Sequence, residues 1–387
     1  MTRRLRIVPA LTVLAVAAAT LVGIPQVAQG GDRDPCTLEA PCFVRTPAGR
    51  MAYIEALPSR RHTATVILLH GFTDSKRSWS LAIEALQEQN PHLRIIAIDQ
   101  RGHGQSFRPR TQECRDEPSL CLTPRLMADD LAGFMDAMGI ESAYVAGHSM
   151  GSVVAQFFAK RHPERTEGAV LVATAANLRD NYVLTDWLLD GVILGQWKPA
   201  IEAQGYAWPG DTYRVDALDA DPNAVEWMKV NWDVDPIAPT WFTDTIAEET
   251  ARVRLQTWLG VAEDLSALDN VKKLSRTTPN MLVLWGIQDT FFSMADQETV
   301  IGALETATTR GGSFCWKQYG VIPLPASGYQ TDDLGHNLQW EAPAQVARDI
   351  DAFIRTGLPT DDLFHTDAPE DIQRIVTVPG AANVLCG

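Results

Sequence analysis

The chain has 387 residues, 45% hydrophobic and 21% charged, enough to bury a large core in one big domain or two smaller ones and unlike a disordered or fibrous polymer. Its formal net charge of −15 makes it a poor partner for nucleic acid or an anionic membrane, which repel an acidic surface. No internal repeat is visible, and no low-complexity tract lies beyond the first thirty residues.

Residues 1–30 read as a secretory signal peptide. Arg3, Arg4 and Arg6 give a basic start, "ALTVLAVAAATLVGI" (10–24) an apolar run, and Ala28 and Gly30 the small residues of a cleavage site. The run is short for a membrane span, no cysteine follows it closely, and no later segment is apolar enough to cross a bilayer. The expectation is a secreted or periplasmic protein that starts near Gly31, without stable membrane insertion. Six cysteines agree with an oxidising compartment. They allow about 15 pairings. Proximity favours Cys36–Cys42 and Cys114–Cys121, which leaves Cys315–Cys386 to pin the C-terminal tail. No pair has the spacing of a zinc site, so no metal is expected.

Short runs rich in Val, Ile and Leu follow at 63–70, 93–99, 142–148, 168–174 and 280–286, with a last strand-like run at 313–322. The first five are too apolar to be half-exposed and read as strands buried on both faces. Helical spacing at 78–89, 125–139, 151–162 and 343–357 alternates with them. The pattern predicts an α/β protein, a mostly parallel sheet with helices on both faces.

Gly147-His148-Ser149-Met150-Gly151 stands where the strand 142–148 meets the helix 151–162. A sharp turn there strains the serine backbone and leaves no room for side chains two residues away. It lifts the hydroxyl above the carboxyl edge of the sheet. A serine needs a base. Of the eight histidines, His336 follows the last strand and precedes the last helix, at that same edge. His62 and His92 lie in connections, His70 and His103 at strand ends, His148 inside the turn, His162 at a helix end and His365 in the tail. Asp289, directly after the strand 280–286, is the expected orienting acid. Asp332 and Asp333 are rivals close to His336 on its own loop.

The order Ser149, Asp289, His336 resembles that of the α/β-hydrolase fold family, its esterase, lactonase and carbon–carbon hydrolase group, over about residues 42 to 356. The resemblance implies an α/β-hydrolase core at 31–176 and 276–387, a helical cap inserted at 177–275, and no cofactor. "HGFTDSKRSW" (70–79) is similar to the family's oxyanion-hole loop, which makes the backbone N–H groups of Phe72 and Met150 the implied donors. "DQRGHGQS" (99–106) resembles the loop after the next strand and carries no assigned chemistry. HGFT is not the HGGG of one lipase and esterase branch. A serine nucleophile, rather than aspartate, argues against epoxide hydrolases and haloalkane dehalogenases, and the likeness to proline iminopeptidases is weak. The stretch from Asp289 to His336 is long for the family, with an insertion around 320–333.

Seven of the eleven tryptophans fall in 177–275. They suggest an aromatic roof over a pocket for a small neutral or apolar ester, with Trp187 and Trp208 as candidate lining residues. The segments 184–197 and 250–265 have helical spacing. The expected activity is hydrolysis of carboxylic esters or lactones through an acyl-enzyme. The alternatives are hydrolysis of a carbon–carbon bond in a β-diketone type substrate, and a ligand-binding protein without turnover. Oligomeric state and the identity of the acid and alcohol groups are not legible.

Overall fold

Strands apolar at nearly every position have two faces to bury, and the sheet buries both. In the computed structural model, residues 36–58, 62–232, 238–320, 334–361 and 384–387 are described. The signal-peptide expectation at 1–30, the insertion at 321–333 with Asp332 and Asp333, and His365 lie outside them. Among the described residues nine strands form one sheet: β1 (Cys42–Arg45), β2 (Arg50–Ala56), β3 (Ala64–Leu69), β4 (Leu93–Ile98), β5 (Ala143–His148), β6 (Thr166–Val172), β7 (Asn280–Gly286), β8 (Ser313–Tyr319) and β9 (Val384–Cys386). Their spatial order is β1-β2-β4-β3-β5-β6-β7-β8-β9. The six strands from β3 to β8 run parallel, and β1, β2 and β9 add antiparallel edges.

Successive residues of a strand point to opposite faces. Ile67, Leu69, Ile96, Ile98, Val145 and Leu171 therefore join one core, with the helices Pro124–Met138 and Met150–Arg161. Val66, Leu68, Ile95, Ala97, Val170 and Leu282 join the other, with Ser80–Gln89 and Pro343–Thr356. The observed architecture is the expected α/β class.

Between β6 and β7 the chain leaves the sheet and becomes helical. Val183–Trp197 is wound as a π-helix, and Leu255–Ser266 packs against it. The helix expected at 250–265 is two. Thr240–Ala251 ends, and Leu255–Ser266 starts after an extended Arg254. Asp216 and the Arg214 carbonyl hold the Arg254 guanidinium at 3.1 and 2.8 Å. Those bonds outweigh local helical spacing.

All six cysteines are paired as proximity suggested: Cys36–Cys42, Cys114–Cys121 and Cys315–Cys386. The last bond joins β8 to β9 over a separation of 71 residues. Among the described residues no helix is long and apolar enough to cross a membrane. Closing so long a loop restricts the unfolded chain strongly, so Cys386→Ser should lower stability by about 2–4 kcal/mol. Urea unfolding of the two proteins measures this. An unchanged midpoint would refute it.

Candidate active site

Five loops at the carboxyl ends of the parallel strands meet at one place, where open α/β sheets bind ligands. Ser149 follows β5 directly and has φ 50° and ψ −118°, a conformation rare outside glycine. Its N–H donates to the Val172 carbonyl at 2.9 Å, and the helix Met150–Arg161 starts at the next residue. A Cβ on Gly147 would collide with the Gly151 backbone, and one on Gly151 with the carbonyls of Leu69 and His70. The two glycines are therefore required by contact: the turn presses the helix start onto the end of β3.

Asp289 sits in the turn after β7 with its carboxylate fully buried. It accepts hydrogen bonds from the N–H groups of Phe291 and Phe292, both at 2.9 Å. Nδ1 of His336 lies 3.0 and 3.1 Å from its two oxygens. That contact directs Nδ1 toward the acid and leaves Nε2 for the opposite side of the ring. The His336 ring packs against Phe291 and Phe292, with centroids 4.6 and 5.1 Å away. Ser149 and His336 line the same narrow cavity of about 40 Å³.

The loop after β3 carries Phe72, which also lines this cavity. Among the described residues neither the Phe72 N–H nor the Met150 N–H has a hydrogen-bond partner. Thr73 next to it has φ 65°. The loop is held from "DQRGHGQS", the stretch without assigned chemistry. Asp99 accepts from the Lys76 ammonium and from the N–H groups of Lys76 and Gln105, each at 2.8 Å. Gln100 donates its N–H to His70 Nε2 at 3.0 Å and its side-chain amide to the His70 carbonyl at 2.8 Å. Full burial pushes the His70 pKa down to about 4 and that of His103 to about 3. Both rings are neutral near pH 7 and serve as hydrogen-bonding struts.

Apolar side chains wall the cavity. Leu184, Trp232 and Leu265 come from the helical segment, and Phe72, Phe291 and Trp340 from the sheet side. Trp187 and Trp208, the lining residues suggested by sequence, are not among them. Trp187 is stacked on Trp227 and Trp232, at 5.7 and 6.2 Å between ring centroids, and so stands behind Trp232. Trp208 packs on the main core instead. Trp232 donates its indole N–H to Thr73 Oγ1 at 2.9 Å. That bond ties the helical segment to the Phe72 loop.

Two further residues were missed. The sequence places His148 inside the turn, and in the structure it lines the cavity with Asp74. Alternation along β5 could have signalled it only if the backbone path through the elbow were known. Among the described residues no group of three or more His, Cys, Asp or Glu is arranged to hold a metal ion.

Comparison with known proteins agrees with the fold. The sequence profile of the alpha/beta hydrolase fold family matches residues 64–343. Epoxide hydrolase B of Mycobacterium tuberculosis is 39% identical over 113 residues, 29% of this chain and 29% of that protein. The chain thus aligns with less than a third of that relative's length. The similarity exists although the elbow serine argued against epoxide hydrolases. Among solved structures, an esterase from Exiguobacterium antarcticum has a TM-score of 0.58 at 14% identity, covering 81% of this chain and 99% of its own. The enol-lactonase of Burkholderia xenovorans LB400 has a TM-score of 0.52 at 19% identity, covering 82% and 98%.

The buried histidines make acid stability a test of this geometry. In the unfolded chain a histidine binds its proton near pH ~6.5. His70 and His103 bind theirs only near pH 4 and 3 in the folded chain. Their stabilisation is full above pH ~6.5 and is lost as pH falls toward the folded values, by up to ~1.4 kcal/mol per pH unit for each ring. The melting temperature should fall steadily from pH 6.5 to 4. A level profile over that range would refute two neutral buried rings.

Proposed function

The chain belongs to the alpha/beta hydrolase fold family, and we propose that it is a secreted serine hydrolase of carboxylic esters or lactones. The observation that carries this reading is one cavity holding both a serine on a strained strand-to-helix turn and a histidine whose Nδ1 faces a buried carboxylate. Ser149 attacks the substrate carbonyl while His336 Nε2 takes its proton. Asp289 fixes the imidazole tautomer and stabilises the imidazolium. The N–H groups of Phe72 and Met150 receive the oxyanion, a contribution of about 3 kcal/mol for each donor. His336 passes its proton to the leaving alcohol. Water activated by the same ring then releases the acid and restores Ser149.

The elbow serine also separates this reading from epoxide opening. Attack of a hydroxyl on an epoxide carbon yields an ether, which has no carbonyl for water to attack, so the enzyme would not turn over. An ester or lactone yields an acyl-enzyme that water can cleave. The apolar cavity walls fit a small neutral substrate. Residues 177–275 act as the cap, with Trp232 in the roof. Three disulfides fit an oxidising compartment, reached through a leader at residues 1–30.

An alkyl phosphonate should label Ser149 and no other residue, read by peptide mass mapping, and Ser149→Ala should abolish both label and ester turnover. Label elsewhere, or turnover by the alanine variant, would overturn the assignment. Product analysis should find an alcohol and an acid; a ketone from a β-diketone would favour carbon–carbon hydrolysis instead.

Trp232→Ala should lower kcat/KM for a bulky ester more than for an acetate, by about 1–3 kcal/mol of transition-state binding. Trp187→Ala, one layer behind, should depress both substrates together and lower the melting temperature. Equal behaviour of the two variants would end the assignment of Trp232 to the roof.

A further inference from the structure

His336 lies between β8 and the last helix, and bonds from neighbouring segments hold the described residues around it. Gln288 N–H donates to the Leu334 carbonyl at 3.0 Å, and the Glu341 carboxylate accepts from Gly335 N–H at 2.8 Å. A bond to the His336 backbone comes from the residue before the proposed nucleophile. His148 Nε2 lies 3.0 Å from the His336 carbonyl oxygen. A carbonyl only accepts, so Nε2 carries the proton. The two rings stand edge to face, with centroids 5.1 Å apart.

The proton on Nε2 leaves Nδ1 of neutral His148 as a bare lone pair. That atom is buried and has no hydrogen-bond partner. Asp74 Oδ2 stands 3.8 Å from it, with the two side chains 3% and 5% exposed. Two acceptors thus face each other, an arrangement that one added proton would turn into an ion pair. The charged or titratable groups around His148 are Asp74 and His70 from the loop after β3 and His336 from the loop after β8. Burial pushes the His148 pKa down, His336 pushes the same way, and Asp74 opposes both. His148 is therefore neutral where the enzyme works and gains its proton on the acid side. A positive ring 5.1 Å from His336 then disfavours the imidazolium that His336 must become.

We propose that His148 is a positioning residue that anchors the His336 backbone, and that with Asp74 it forms a proton-accepting pair that turns down the activity of the base in acid. The inference rests on the assignment of Ser149 and His336 as nucleophile and base. It gives the elbow histidine two separable roles. Its Nε2–H donor sets the place of His336, and its Nδ1 with Asp74 sets the response to acid.

The test follows phosphonate labelling of Ser149 and ester turnover against pH in the full chain, for wild type, His148→Gln, His148→Phe and Asp74→Asn. Wild-type activity should fall by more than one decade per pH unit at the acid end, since two protonations each silence the site. His148→Gln keeps a donor for the His336 carbonyl but cannot take the second proton, and should fall by one decade per pH unit. Asp74→Asn removes the charge that favours the second proton and should become shallower in the same way. His148→Phe keeps a ring and loses the donor. It should lose about tenfold or more in kcat at little change in KM, with His148→Gln recovering part of that loss. Identical acid slopes in wild type and both polar variants would overturn the paired titration. A His148→Phe enzyme as fast as His148→Gln, with both folded by circular dichroism, would overturn the anchoring. Failure of wild type to label at Ser149 would instead overturn the assignment of the nucleophile on which the inference stands.

Discussion

The site depends on one close approach: the helix Met150–Arg161 begins against the carboxyl end of β3, with Gly151 touching the carbonyls of Leu69 and His70. Any side chain at 147 or 151 would push that helix away. The serine between them then has one way to continue the chain, through φ 50°. Strain of this kind amounts to about 1–3 kcal/mol and persists only where the surroundings over-determine it. Here the surroundings are the strand pairings of β5 on both sides and the Ser149 N–H bond to β6. The same contact brings the β3 loop, with Phe72, to the start of the helix. The proposed nucleophile and the proposed oxyanion donors are thus set by one packing constraint rather than by separate devices.

The remaining loops are fixed by buried polar contacts between neighbouring strand ends. Asp99 on the β4 loop neutralises Lys76 and fastens the β3 loop. His148 on β5 reaches the His336 loop after β8. Asp289 on the β7 loop takes the other side of His336. Each of these groups is buried, so removing a partner would leave an unsatisfied polar atom, worth about 1–3 kcal/mol for a neutral group and more for a charge. Positions that must hold to a fraction of an ångström are tied by bonds that are expensive to break.

Much of this was legible in sequence because it follows from local rules. Buried parallel strands write themselves as continuous Val, Ile and Leu, so β3 to β7 were visible, and the strand ends located Ser149, Asp289 and His336 on one edge. Strands β1 and β2 were not read: β1 alternates between half-buried and exposed, and both sit at the antiparallel edge. Strand β9 is three residues long and owes its place to pairing and a disulfide with β8. The lining tryptophans could not be picked because composition says how many aromatics a segment has, not which layer each occupies. The place of His148 in the cavity wall was not legible for a related reason. Side-chain direction at the elbow depends on a backbone conformation that alternation along a strand does not describe.

The electrostatics bear on the proposed backbone donors. The chain carries a formal charge of −15, a field unfavourable to a developing oxyanion. Lys76, on the same loop as Phe72, is already paired with Asp99. His70 and His103 are too deeply buried to be charged near neutral pH. In the proposed mechanism an oxyanion at Ser149 would be met by oriented dipoles: the N–H groups of Phe72 and Met150, which have no partner among the described residues, and the first turn of the helix that Met150 opens. Such dipoles keep their strength only where water is kept out. The narrow cavity walled by Phe72, Phe291, Trp232 and Trp340 supplies that exclusion. On that reading the aromatic walls would serve the chemistry as well as substrate fit. They hold the dielectric low around donors whose strength depends on it.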